Sequence, residues 1–186
     1  MKRKHFTARR IAINAVLIAL YIVLGFIKIP IGNMLRINFA SFAVVVCAVA
    51  FSPIDGLVVG FLGEFLSQIL GPYGLTPTTA LWALPEAVRG LLLGLSVLLI
   101  VGRQPTNANN SKGFIIYLVC CIVTGIIASL LNTFALYVDS KMFGYYNDYM
   151  VFGVLAIRLG LAVVMSATFG AMALTIVTAL RRNKIL

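Results

Sequence analysis

Residues 113–138 read GFIIYLVCCIVTGIIASLLNTFALYV, an apolar run without a charged side chain. A helix of about 18 or more such residues crosses the ~30 Å hydrocarbon core of a bilayer, so the stretch reads as a transmembrane span. Working outward, five further predominantly apolar runs occupy 9–27, 37–52, 54–71, 78–101 and 150–181. Hydrophobic residues make up 61% of the 186-residue chain and the mean hydropathy is +1.04, well outside the range of a soluble domain. The sequence predicts an all-α integral membrane bundle of six transmembrane helices forming one domain over 1–186. The run 37–52 is short and ends at the turn-like Ser52-Pro53-Ile54-Asp55-Gly56. The sixth run is long enough to project into water.

The basic residues orient the bundle. With the N-terminus inside, Lys2, Arg3, Lys4, Arg9, Arg10, Arg103, Lys112, Arg181, Arg182 and Lys184 are cytoplasmic, whereas Lys28, Arg36 and Lys141 are outside. This asymmetry predicts an N-in, C-in chain in a prokaryotic plasma membrane. It also accounts for the formal net charge of +10 without nucleic acid, since anionic inner-leaflet lipid attracts the same residues. MKRKHFTARR resembles a signal-peptide n-region, but no A-x-A-like site follows, so the first span reads as retained. Cys47, Cys120 and Cys121 lie in apolar runs and form no disulfide or CxxC pattern. The polar stretch 104–111 reads as a flexible cytoplasmic connection.

Away from the ends of the spans, four charges fall inside them: Glu64, Glu86, Arg89 and Arg158. Each costs about 2.5–3.5 kcal/mol at the bilayer centre even on a mild scale, so each needs a partner, a wet cavity or a ligand. Glu86 and Arg89 share a helix face and pair locally as one reading. Glu64 and Arg158 have no local partner. Counted from the outer face at about 1.5 Å per residue, Arg89 lies about 16 Å deep and Arg158 about 12 Å deep. Both guanidinium groups then line one outward-facing cavity suited to a carboxylate or phosphate. Asn132 adds amide hydrogen bonds there, although a helix–helix bond would serve it equally. The Gly- and Pro-rich segment 71–85, with Tyr73, Thr79 and Trp82, supplies irregular backbone fit to line a cavity. The connection 28–36 reads as a lid carrying Arg36.

No G-x-x-x-x-G-K-[ST] loop is present, and the one histidine, His5, sits in the basic tail. The sequence therefore predicts no catalytic residue, no metal site and no bound cofactor. Any ATPase would be a separate subunit. Small residues recur four apart at Ala15/Ala19, Gly56/Gly60, Gly90/Gly94 and Ser166/Gly170, a spacing that lets helix backbones approach closely in lipid. Internal packing is the reading for most of these pairs.

Ala15-Val-Leu-Ile-Ala19, Leu35-Arg36-Ile37-Asn38-Phe39, Phe51-Ser52-Pro53-Ile54-Asp55-Gly56, Leu131-Asn132-Thr133 and Arg158 together resemble the S component, or substrate-binding subunit, of an energy-coupling factor (ECF) vitamin transporter of the folate and pantothenate branch. Ser52 departs from the branch's usual Gly. The resemblance implies a complex with a transmembrane coupling subunit, which meets Ala15 and Ala19, and two ATP-binding subunits. It implies a vitamin ligand, bound outside and carried inward by toppling of the S component. Pantothenate is favoured because its carboxylate suits the arginines, and its hydroxyls and amide suit Asn132 and Thr79. Folate is the alternative, its pterin stacking on Trp82 or Tyr73, although Leu75-Thr76-Pro77-Thr78 departs from the folate pattern. A secondary transporter or a non-transporting membrane scaffold are readings of a different class.

Overall fold

The computed structural model describes residues 8–31, 35–72, 74–101 and 111–183. Helix α1 (Ala8–Phe26) leads into a hairpin of β1 (Lys28–Ile31) and β2 (Leu35–Asn38). Then come α2 (Ser41–Ala50), α3 (Pro53–Ile69), α4 (Thr79–Ser96), α5 (Ser111–Met142) and α6 (Leu155–Arg182). Wider π-type winding continues α4 over Val97–Val101 and precedes α6 over Tyr149–Gly153. Four segments are long and apolar enough to cross a membrane: Ala8–Phe26, Thr79–Leu99, Lys112–Met142 and Tyr149–Arg182. The 32 residues of α5 extend about 48 Å at 1.5 Å each, so this helix tilts or projects beyond a ~30 Å core.

The run 37–52 differs from the six-span expectation. Its first residues belong to β2, where Ile37 pairs with Ile29 and Asn38 with Lys28. The Asn38 side chain then accepts from the Ala40 amide at 2.8 Å and turns the chain into α2. Only 10 residues remain helical, about 15 Å, too short to span alone. The connection after α1, expected as a loop, is instead an antiparallel ribbon whose β-branched residues suit a strand.

Serine and proline set the start of α3. Ser52 accepts from the Asp55 amide at 3.3 Å and Pro53 occupies the first helical turn, where its missing N–H costs nothing. Asp55 is fully buried and accepts from Arg10 Nε at 2.8 Å and from Asn14 Nδ2 at 2.8 Å. Arg10, which orientation alone assigned to the cytoplasmic flank, therefore ties α1 to α3.

Apolar packing joins the remaining helices. Val45 and Val49 of α2, Leu93 of α4, Tyr117 and Cys121 of α5, and Phe169 and Val177 of α6 form one buried cluster. Large exposed apolar side chains, among them Val16, Val23, Ile115, Val164 and Met172, face away from it. Such a surface is a liability in water and is the ordinary state of a helix in lipid.

The tightest seam joins α3 to α4. A Cβ at Gly60 would lie 2.4 Å from the Glu86 carbonyl oxygen, and one at Gly90 2.1 Å from the Gly56 carbonyl oxygen. A Cβ at Gly94 would lie 2.5 Å from the Pro53 Cα. The small residues at 56/60 and 90/94 thus set backbone against backbone. Gly90→Val should lower the thermal stability of the purified protein by an amount typical of overpacking, about 1–3 kcal/mol or more. Unchanged detergent melting of Gly90→Val would show that the seam is looser than described.

Candidate ligand-binding site

Three helices turn the same four-position stripe toward one cavity. On α4 it is Trp82, Pro85, Glu86 and Arg89; on α5 it is Gly125, Ala128, Ser129 and Asn132; on α6 it is Ala162, Met165, Ser166 and Phe169. In each, the positions run i, i+3, i+4, i+7, one face of a 3.6-residue helix. Tyr21 of α1, Asn38 of β2, Ser41 of α2 and Glu64 of α3 complete the lining. The cavity volume is about 220 Å³, below the range of small-molecule sites, which run about 300–1,000 Å³.

Polar groups dominate one wall. Tyr21, 1% exposed, donates to Glu64 Oε2 at 2.6 Å, and Gln68 donates to Glu64 Oε1 at 2.6 Å. Tyr21 lies against Gly63, where a Cβ would fall 2.7 Å from the tyrosine ring. The glycine therefore admits the ring that holds the carboxylate.

Ser41 donates to Glu86 Oε1 at 2.6 Å, and Arg89 Nη1 stands 3.7 Å from the same oxygen. Arg89, 7% exposed, also donates through Nη2 to Ser166 Oγ at 3.1 Å. Ser166 fits because α5 carries glycine opposite it: a Cβ at Gly125 would lie 1.9 Å from Ser166 Oγ. Glu86 Oε2 and Arg89 Nε are buried and have no hydrogen-bond partner among the described residues. Buried polar groups in proteins are nearly always satisfied, so this unpaired acceptor and donor, on two residues of the lining, stand out.

The residues singled out from sequence divide. Trp82, Glu86, Arg89 and Asn132 line the cavity together. Thr79 does not. It is 2% exposed and turns its hydroxyl to the Thr76 amide at 2.8 Å, stitching the entry to α4. Next to it Thr78 donates to Asp139 of α5. Arg158 is also outside the lining, contrary to the two-arginine cavity inferred from depth. Its Nη2 donates to the Met150 carbonyl at 2.8 Å, an acceptor offered by the irregular turn before α6. Arg36 sits in β2 opposite Pro30; its side chain and the whole of Tyr73 lie outside the described residues. Tyr21, Asn38, Ser41, Ser129, Ser166 and Phe169 were not anticipated. The stripe on α5 and α6 was the available signal for the last three.

Ala15 and Ala19 are exposed on α1, as are Val16 and Val23, while Asn14, Leu17, Tyr21 and Gly25 form its buried face. The two alanines thus sit on bare helix surface and not in an internal seam. At the end of α5, Lys141 lies 3.9 Å from the ring centroid of Tyr146 in the connection that follows. The Tyr146 hydroxyl donates to Asp148, which pushes its pKa up to about 12 and keeps the ring neutral beneath the cation.

The family model for the S component of an ECF-type riboflavin transporter matches residues 5–182, and the chain belongs to that family. A UPF0397 protein of Aliivibrio salmonicida is 26% identical over 125 residues, 66% of this chain and 67% of that one. A UPF0397 protein of Streptococcus pneumoniae is 31% identical over 93 residues, 48% of each chain. Among solved structures, a bacterial ECF S component superposes with a TM-score of 0.55 at 20% identity over 95% of both chains. The S component for biotin from an ECF-type ABC transporter superposes with a TM-score of 0.61 at 17% identity, over 98% of this chain and 95% of that one. The S-component fold follows from these superpositions. The family match is to the riboflavin S components, whereas the short motifs resemble the folate and pantothenate branch.

Tyr21→Phe removes the donor to Glu64 without changing ring volume. It should lower stability by about 1–3 kcal/mol, the usual cost of leaving a buried acceptor short of a donor. Differential scanning fluorimetry in detergent measures it, and an unchanged melting temperature would show that Glu64 does not depend on α1.

Proposed function

We propose that this chain captures a small water-soluble vitamin in the cavity between its helices and delivers it across the cell membrane as the S component of an ATP-driven ECF importer. The carrying observation is the stripe on α4, α5 and α6 converging on buried, unpartnered atoms of Glu86 and Arg89. Ionisable groups at membrane depth are costly and mark ligand paths. In this reading the chain has no catalytic role, and separate subunits hydrolyse ATP.

The exposed Ala15/Ala19 face of α1 is the surface proposed for the transmembrane coupling subunit, since small side chains allow close helix approach in lipid. Pantothenate, favoured from sequence, and folate, its alternative, lose support from the position of Arg158. Without it an anion meets one guanidinium, Arg89, beside two carboxylates. The ligand is therefore sought among vitamins at large, by mass spectrometry of small molecules released on denaturing the purified protein. Release of none, together with no ATP-dependent uptake after reconstitution with a coupling subunit and its ATPases, would sink the proposal.

Ala15→Phe and Ala19→Phe should leave ligand binding unchanged and reduce reconstituted uptake by about tenfold or more, because a large side chain separates docked helices. Loss of binding in parallel with uptake would assign the alanines to internal packing.

The basic residues support an N-in, C-in arrangement. In a background lacking the three native cysteines, Lys141→Cys should react with an impermeant maleimide in intact cells and Asn107→Cys should not. The reverse pattern would invert the topology.

A further inference from the structure

Two consecutive arginines end α6 and are used differently. Arg181 reaches back into the bundle, where its Nη2 stands 3.4 Å from the Val49 and Ala50 carbonyl oxygens. These close the C-terminal end of α2, which a cation complements. Arg182 is exposed, and no hydrogen bond or ion pair holds it among the described residues. It lines a groove of about 880 Å³, separate from the central cavity, together with Leu174, Thr178 and Ala179 of α6, Phe114 of α5, and Asn183. Leu174, Thr178 and Arg182 follow at four-residue spacing and share one helix face.

Gly125 faces Ser166 and Gly170 faces Cys121. This antiparallel register sets the first turn of α5 level with the last two turns of α6. Lys112, exposed in that first turn, therefore lies at the height of the groove. From Leu174 to Arg182 the groove face runs about 12 Å along the helix, from a buried leucine to an exposed guanidinium. No carboxylate side chain answers the two cations. The chain's five are Asp55, Glu64, Glu86, Asp139 and Asp148. Asp55 is fully buried and taken by Arg10 and Asn14, Glu64 and Glu86 line the central cavity, and Asp139 and Asp148 lie at or beyond the other end of α5.

We propose that this groove seats an anionic phospholipid, its phosphate held by Arg182 with Asn183 and Lys112 beside it, and its upper acyl carbons against Leu174 and Phe114. A guanidinium meets a phosphate through two parallel N–H bonds. Thr178, about 6 Å further in, offers a hydroxyl at the level of the glycerol esters. Basic pockets between transmembrane helices suit anionic headgroups at the cytoplasmic face, where the orientation proposed above puts this end. A zwitterionic lipid carries its own cation beside the phosphate and gains less from Arg182. Free phosphate would use the arginine and leave the apolar stretch bare. The site needs α5 and α6 to lie in a bilayer and is independent of what the central cavity binds.

Native mass spectrometry of the full chain in detergent tests this, titrated with phosphatidylglycerol and with phosphatidylcholine of the same acyl chains. Glycerol phosphate serves as the headgroup probe without chains. The first phosphatidylglycerol should bind about tenfold or more tighter than phosphatidylcholine and raise the melting temperature, with no comparable retention of glycerol phosphate. Arg182→Gln should weaken that first lipid by about fivefold, the usual weight of one basic residue at an anionic membrane surface. Lys141→Gln removes the same charge from the other end of α5 and should leave it unchanged. Thr178→Phe fills the groove and should weaken both lipids. Melting in lipid-free detergent shows which variants are folded.

Equal binding of the two lipids overturns the anionic preference. An equal loss in Lys141→Gln leaves only diffuse charge, and glycerol phosphate retained as tightly as phosphatidylglycerol leaves only a phosphate site. Undiminished lipid binding by a folded Arg182→Gln overturns the proposal as well. If that variant also loses a co-purifying coupling subunit, the groove belongs to a protein partner.

Discussion

Backbone contact between α3 and α4 is the constraint on which the site depends. The Glu86 carbonyl oxygen is the atom that Gly60 admits, and the Gly56 carbonyl is the one that Gly90 admits. The residue whose side chain faces the cavity is thus fixed through its own main chain to α3. A methyl group anywhere along this seam forces the two helices apart by more than a side chain can absorb. Lipid supplies no hydrophobic drive to push helices together, so close van der Waals contact between small residues has to do it. Pro85 adds a second constraint on the same helix. It withdraws one N–H from the ladder of α4 beside the cavity.

Around that seam, most buried polar side chains among the described residues are satisfied within the chain. Asp55 takes Arg10, Asn14 and Ser52. Glu64 takes Tyr21 and Gln68, and Tyr117 donates to the Gly170 carbonyl at 3.0 Å. Asp139 takes Thr78. Against that background the open atoms of Glu86 and Arg89 carry weight, because an unmet charge in such a medium costs several kcal/mol. A bundle that pairs Asp55 so thoroughly would have little reason to leave Glu86 half-paired unless something else completes it. Arg158 also retains an unpartnered Nη1, but it donates to Met150 and is not among the residues that line the cavity.

The sequence made some of this legible and hid the rest for physical reasons. Hydropathy marked the membrane class, the longest helices and the break at Ser52-Pro53, because transfer cost is a local sum over residues. Glu86 and Arg89 were visible because they share one helix face. Asn132 was visible as a polar residue in an apolar run, and the i, i+3, i+4, i+7 stripes of α5 and α6 were there to be read. Depth misled at Arg158. Rise along a helix fixes height but not what competes for a flexible side chain, and the irregular turn before α6 exposes a carbonyl that no hydropathy pattern announces. The hairpin was hidden because Ile37 and Asn38 continue an apolar run whose short length suits strand or helix equally. Arg10 with Asp55, and Tyr21 with Glu64, are pairings between helices far apart in the chain, and a single sequence carries no sign of them.

Helix α1 has two faces with opposite chemistry, and the polar pairings explain how both are kept. Its buried face offers Asn14 to Asp55 and Tyr21 to Glu64, with Arg10 reaching the same aspartate. Arg10 and Tyr21 are eleven residues apart, about 16 Å along the axis. Two directional anchors at that separation fix both the height and the rotation of the helix on α3. Apolar contacts alone would allow it to roll, since hydrocarbon and lipid are nearly equivalent surroundings. With rotation fixed, Ala15 and Ala19 are held on the opposite side as a flat, small-residue surface. Glu64 belongs to both systems, since it lines the cavity and accepts the hydrogen bond that seats α1. Whatever alters the surroundings of that carboxylate from the cavity side acts on the same atoms that hold the bare face of α1 in place.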